Sequence, residues 1–302
     1  MMKLREITMR DPYILPYEGA YYLYGTVGAD RGETSLYVYR STDMENWEEP
    51  VTIFTLTPEF WGVQDLWAPE VHIYNSKFYL FFSVKGENGL RGTQIAVCDT
   101  PDGTFVPVVD HAATPLDQSC IDGTLYIENG TPYMVYSHDW PDTYFEEGNY
   151  YLGEIYAVEM NADLTEAVGE PFLLFTGLDA PLSANAPTPC EWMGKSSIRY
   201  GTDGPFMTRL SDGRLLLAWS PIPALNYVVL GAVSDSGSIH GTWRHLDQPI
   251  FDNNGGHPMF FDDFDGKKKM AIHWPEVWAD EHPLVLDVEE KDGTWEVVHF
   301  PL

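Results

Sequence analysis

One unit recurs five times along this chain, and the recurrence limits the possible fold more than any other feature. Its copies are "DPYILPYEGAYYLYGT" from Asp11, "APEVHIYNSKFYLFFS" from Ala68, "DGTLYIENGTPYMVYS" from Asp122, "DGPFMTRLSDGRLLLAWS" from Asp203 and "HPMFFDDFDGKKKMAIH" from His257. Each opens with a small, acidic or histidine residue followed by Pro or Gly. Strand-forming residues come next, then a turn such as "YEG", "YNSK" or "SDG", then a second apolar run. Strand-plus-tight-turn chemistry of this kind predicts a hairpin. Two further strand-like runs trail each hairpin, as "SLYVYR" and "VTIF" trail the first. Four short antiparallel strands repeated five times predict an all-β fold, a five-bladed β-propeller with four antiparallel strands per blade. Residues 1–302 read as one domain, and all twenty strands can be taken in chain order. A parallel α/β fold would need amphipathic helices between the strands, and no convincing one is found.

The repeats also set an expected geometry. With the first strand of each blade innermost, the short hairpin turns fall on one face and the longest segments on the other. Those segments are roughly 55–67, 109–121, 138–151 and 176–202. Long loops on one face of a rigid scaffold tend to carry function. Six of the ten tryptophans are expected on that face: Trp61, Trp67, Trp140 and Trp192 in these segments, and Trp274 and Trp278 after the last blade's second strand. The residues that open the inner strands, Asp11, Ala68, Asp122, Asp203 and His257, are expected to converge on the central axis. A lone Asp at such a place is usually a turn residue bonded to nearby backbone N–H groups. Three clustered carboxylates repel one another, and a retained cost of that kind points to chemistry.

Composition narrows the partners. Seventeen basic against 46 acidic residues give a net charge of −29, which repels nucleic acid and anionic membranes. A neutral ligand or a cation fits better. No apolar run approaches a membrane span, and the N-terminal "MMKLREITMRDPYIL" has no apolar core of a signal peptide. Cys98, Cys120 and Cys190 are widely spaced and odd in number, as expected of free thiols in a reducing compartment. Together these features lead to the expectation of a cytoplasmic protein.

Two carboxyl groups in opposite protonation states are what hydrolysis of a glycosidic bond needs. One donates a proton to the leaving oxygen and the other activates water or attacks carbon. A third can raise the acid's pKa by like-charge repulsion. In its ordered set of motifs, "RDPYIL…YYLYGT", "WAPEVHIYNSKFYLFFS", "IDGTLYIENGTPYMVYSH", "TDGPFM…GRLLLAWS" and "GGHPMFF", the chain resembles glycoside hydrolase family 43, five-bladed propeller enzymes that act on plant-cell-wall side chains. The resemblance covers nearly all of the sequence. It implies hydrolysis with inversion, Asp11 as general base, Asp122 as the residue that tunes and orients the acid, and Asp203 in the acid's place. It implies that His257 is the axial histidine, which helps hold a structural calcium ion, mostly through water.

The sequence departs from the family pattern at two of these motifs. The family's acid is most often Glu in "EGP", whereas here it is Asp, one methylene shorter. Asp203 would retreat by ~1 Å, a misplacement that can cost about a hundredfold. Glu191 in "CEW" and Asp139 in "SHDW" are therefore alternative acids. Pro258 after His257 stands where Gly is common. Trp61, Trp67, Trp140, Trp192, His138 and His257 are the expected sugar contacts, and Glu70 is expected to face the second blade. The expected substrate is an oligosaccharide with an α-L-arabinofuranosyl or β-xylosyl bond. Rival readings are a non-catalytic sugar-binding propeller, a β-galactofuranosidase, a fructan hydrolase and a phosphorylase. A phosphorylase would need a cationic clamp in the funnel; Arg199 and Arg209 lie near in sequence, but no cation opens an inner strand.

Overall fold

A computed structural model describes residues 1–28, 32–181, 188–222 and 226–300. Their strands form six sheets. Five of these are the blades of the expected propeller, each led by an inner strand: Arg10–Tyr17, Gly62–Tyr74, Cys120–Glu128, Asp203–Arg209 and Gly256–Asp262. Each inner strand pairs antiparallel with the strand that follows it. The inner strands touch in ring order, first to second and on to the fifth, which closes against the first. The last blade is completed by its own four strands, ending in Thr294–His299, and borrows none from the N-terminus.

The hairpin turns follow from their residues. Glu18–Gly19, Asn75–Ser76 and Asn129–Gly130 all have positive φ at both positions, the two-residue turn that matches strand twist. In the fourth and fifth blades "SDG" and "FDG" form longer turns, closed by Gly213 N–H to Leu210 O (3.0 Å) and Gly266 N–H to Asp263 O (2.9 Å).

A second regularity knits the blades at the axis. The repeat ends in Thr26, Ser83, Ser137, Ser220 and His273. Thr26 Oγ1 accepts the N–H of Ala68 (2.7 Å), Ser83 Oγ that of Asp122 (2.8 Å), and Ser220 Oγ that of His257 (3.0 Å). His273 Nδ1 accepts from Asp11 N–H (3.1 Å), and Ser137 Oγ donates to Thr202 O (3.0 Å). One polar side chain per blade thus satisfies or anchors the backbone at the start of the next, where a buried unpaired N–H would be costly.

The sixth sheet was not expected. Tyr144–Phe145, Tyr150–Leu152, Lys195–Tyr200 and Thr188–Trp192 pair in that order above the third and fourth blades. Segments read as loops, 138–151 and 176–202, supply most of it; residues 182–187 of the second lie outside the described residues. The run "YLGEIYAV" is also two elements: Tyr150–Leu152 joins the extra sheet, and Glu154–Glu159 is the blade's third strand.

Candidate active site

Each inner strand carries a bulge at its upper end, where its pairing slips by a residue or more. The residue at the bulge has positive φ in every blade: Asp11 (52°), Ala68 (43°), Asp122 (56°), Gly204 (48°) and His257 (57°). Such backbone costs about 1–3 kcal/mol for a non-glycine residue and gathers at functional sites. The sequence comparison set Asp203 level with Asp11 and Asp122, and the structure corrects this by one residue. Gly204 holds the left-handed position, where a Cβ would come 2.7 Å from the His257 ring. Asp203 stands one step earlier, level with Arg10, Trp67, Ile121 and Gly256, nearer the funnel mouth.

The three carboxylates nonetheless share one cavity of about 430 Å³ on the axis, together with His257. The imidazole joins two of them: its Nδ1 lies 3.1 Å from Asp11 Oδ1 and 3.2 Å from Asp203 Oδ1. Asp11 Oδ2 accepts from Thr26 Oγ1 (2.6 Å). Asp203 Oδ2 accepts from the buried Tyr227 hydroxyl (2.6 Å), and Asp122 Oδ2 accepts from Gly204 N–H (3.1 Å).

These contacts set the protonation states. Burial would lift the Asp11 pKa, but His257, His273 and Arg10 outweigh it and hold the group far below the usual carboxylate range. Asp203 is half-buried, and although desolvation would raise its pKa, the His257 imidazolium and its contact with Asp122 pull it down. Asp122 moves the other way, well above the ordinary value, through burial and the adjacent Asp203 charge. Asp122 and Asp203 therefore titrate as a pair that keeps one proton. Burial opposes the charge on His257, but Asp11, Asp203 and Asp122 raise its pKa to about 10.

Of the expected sugar contacts, Trp67, Trp140, Trp192 and His257 line the funnel. Two do not. Trp61 is held by its Nε1–H to Gln94 Oε1 (2.6 Å) and borders a side cleft with His111 and Leu116. His138 is held outside the funnel lining, with Nδ1 2.9 Å from Glu154 Oε2 on the neighbouring strand. The alternative acids also part. Glu191 is exposed on the extra sheet, where alternation points it opposite to the funnel-lining Trp192. Asp139 lines the funnel, is 5% exposed, and burial raises its pKa to about 7 against the pull of Arg91. Glu70 pairs with His72 (2.8 Å) away from the cavity.

Sequence reasoning missed Arg10, Arg91, Tyr227 and Glu276, which also line the funnel, and did not take up Arg199 or Trp278 as site residues. Arg10 precedes Asp11 directly, and its place could have been inferred. Guanidinium groups lie over indole rings at three points: Arg91 on Trp67 (4.2 Å), Arg199 on Trp140 (4.9 Å) and Arg10 on Trp278 (5.9 Å).

A funnel that combines ionised and protonated carboxyl groups with flat aromatic walls, set on the axis of a five-bladed propeller, defines a class of carbohydrate-active proteins. The chain belongs to the glycosyl hydrolases family 43, whose model matches residues 5–293. An endo-arabinase structure from Bacteroides thetaiotaomicron VPI-5482 shares 33% identity and a TM-score of 0.84, over 97% of this chain and 98% of that one. A thermostable family-43 glycoside hydrolase structure has the same fold at 24% identity, with a TM-score of 0.82 over 97% of this chain and 93% of that one. The extracellular endo-alpha-(1->5)-L-arabinanase 1 of Bacillus subtilis (strain 168) is 32% identical over 147 residues, 44% of each chain. A xylosidase/arabinosidase of Bacteroides ovatus is 28% identical over 142 residues, 42% of each. The matches thus span less than half the length of these two curated relatives.

Proposed function

We propose that this chain hydrolyses arabinofuranosyl or xylosyl bonds in plant-derived oligosaccharides, with inversion at the anomeric carbon. The observation that carries this reading is the convergence of three carboxyl groups around His257 in one aromatic-walled funnel, where their contacts favour different protonation states. Asp11 is ionised and close to the axis, as suits a base that takes a proton from water. The Asp122–Asp203 pair keeps a proton, as suits delivery to the leaving oxygen from Asp203. Asp122 tunes that delivery, because its proximity makes a second charge unfavourable. The tryptophan faces offer stacking surfaces for sugar rings. The names of the relatives support arabinose- and xylose-containing substrates.

Inverting enzymes hold their two carboxyl groups about 6.5–9.5 Å apart, leaving room for water. Asp11 Oδ1 and Asp203 Oδ1 share one nitrogen, His257 Nδ1, at 3.1 and 3.2 Å, which holds the two contacting oxygens closer together at rest than that range. Substrate binding then has to part Asp203 from His257, and a freed Asp203 regains a higher pKa. That movement also offsets its shorter side chain.

A second reading of the acid rests on Asp139. It is the buried funnel carboxyl that accepts no side-chain hydrogen bond among the described residues, and its pKa of about 7 suits an acid near neutrality. Variants separate the two. A true acid replaced by Asn loses far more activity on an unactivated oligosaccharide than on a nitrophenyl glycoside, whose leaving group needs little protonation. Equal losses on both substrates count against the residue.

The calcium ion implied by the family resemblance enters only as a proposal. Asp122, Asp203 and His257 each present a donor within 4.8 Å of the others. They do not make a direct calcium shell of six to eight oxygens. Asp122 Oδ2 and Asp203 Oδ2 already accept hydrogen bonds, and His257 is a cation. An ion would have to be held by His257 through water, and no step above runs through it. A thermal shift on adding calcium to chelator-treated protein tests it. Cytoplasmic location is likewise proposed, from three free thiols; cell fractionation decides it.

A further inference from the structure

The funnel holds three arginines, and their ion pairing differs. Arg10 Nη1 lies 2.6 Å from Glu281 and 3.0 Å from Glu276. Arg91 Nη2 lies 2.8 Å from Asp65. Arg199 has no carboxylate within ion-pair distance among the described residues. We propose that Arg199 receives a carboxylate carried by the substrate, so that the funnel takes an oligosaccharide bearing an acidic sugar. This rests on the hydrolase reading above and names a substrate class for the same site.

Several observations converge on Arg199. It sits on the Lys195–Tyr200 strand of the extra sheet, which roofs one side of the funnel. The Trp140 face 4.9 Å away holds its guanidinium, and Trp140 in turn meets Trp192 edge-on at 5.4 Å. Its Nε is buried without an acceptor. Burial lowers its pKa, and Asp139 is too distant for a contact. A cation kept partly buried without a counterion is costly, and an incoming anion removes the cost. A guanidinium fixed by stacking presents a planar fork that matches a carboxylate. The net charge of −29 opposes an anion at long range. That field is screened beyond about 8 Å at physiological salt, so the contact itself decides.

The test compares an oligosaccharide carrying a uronic acid branch with its methyl ester, which removes the charge at the cost of one added methyl group. The proposal predicts that wild-type protein prefers the acid by about tenfold to a hundredfold in kcat/KM, as a charge-assisted pair would give. Arg199→Gln should bring the ratio near one, while Arg199→Lys keeps part of it. Binding of both ligands to the Asp11→Asn protein, read by calorimetry, keeps the proposal separate from the hydrolase reading. A preference in binding without turnover in wild type removes the hydrolase reading alone. Equal affinities, or an acid preference that survives in Arg199→Gln, overturn the proposal. So does turnover that requires inorganic phosphate and yields a sugar phosphate, since the arginine would then serve phosphate.

Discussion

Replacing Tyr227 by Phe is expected to move the alkaline limb of the pH–rate profile upward. Phe retains the ring and its stack on His273, centroids 5.1 Å apart. It removes only the hydroxyl that donates to Asp203 Oδ2 at 2.6 Å. A hydrogen bond to a charged group is worth about 1.5–3 kcal/mol, and one pKa unit corresponds to about 1.4 kcal/mol. The hydroxyl favours the ionised form of Asp203, so its loss raises the apparent pKa of the Asp122–Asp203 pair by about one to two units. The general acid must be protonated to act. A higher pKa therefore keeps it active to higher pH, and the limb shifts up by the same amount. The assay is kcat/KM on an arabino-oligosaccharide between pH 4 and 10, with circular dichroism to confirm folding. A limb that stays in place would refute the assignment of the acid to the pair and favour Asp139, which Tyr227 does not contact. A downward shift would refute the electrostatic reasoning itself.

Other expectations follow from the same contacts. Asp11→Asn should lower kcat by about 10²–10⁴-fold, the usual contribution of a general base, with an unchanged fold by circular dichroism; a fully active variant removes Asp11 from the chemistry. Ser220→Ala leaves the buried His257 N–H without its acceptor and should destabilise the protein by about 1–3 kcal/mol, read as a lower Tm; an unchanged Tm argues against the axial hydrogen-bond ring. Asp203→Asn should abolish turnover of oligosaccharides while sparing nitrophenyl glycosides, and Asp139→Asn should show that pattern only if Asp139 is the donor.

The propeller and the convergence of Asp11, Asp122, Asp203 and His257 were legible because both are written in short, local, repeated chemistry. A turn pair such as Asn129–Gly130 or a bulge residue before Pro or Gly is determined by its neighbours. The one-residue offset of Asp203 was legible in principle: "DGP" aligns with "RDP", "WAP" and "GHP" when Gly204 is matched to the residue before Pro. What escaped was set by tertiary contact. Tyr150–Leu152 reads as a continuation of the next strand, and only pairing with Lys195–Tyr200 gives it a separate sheet. Trp61 and His138 have composition suited to a sugar site, but Gln94 and Glu154 claim them. Whether Arg199 pairs with a carboxylate depends on which side chains lie within a few ångströms, and no spacing rule encodes that.

The anomeric form of the first product is the most direct measurement of how these carboxyl groups cooperate. With Asp11 delivering water to one face while a proton reaches the leaving oxygen on the other, proton NMR during early turnover should show the sugar released with inverted configuration, before mutarotation. Net retention would mean that a carboxylate attacks carbon directly, and the assignment of Asp11 as a base would be wrong.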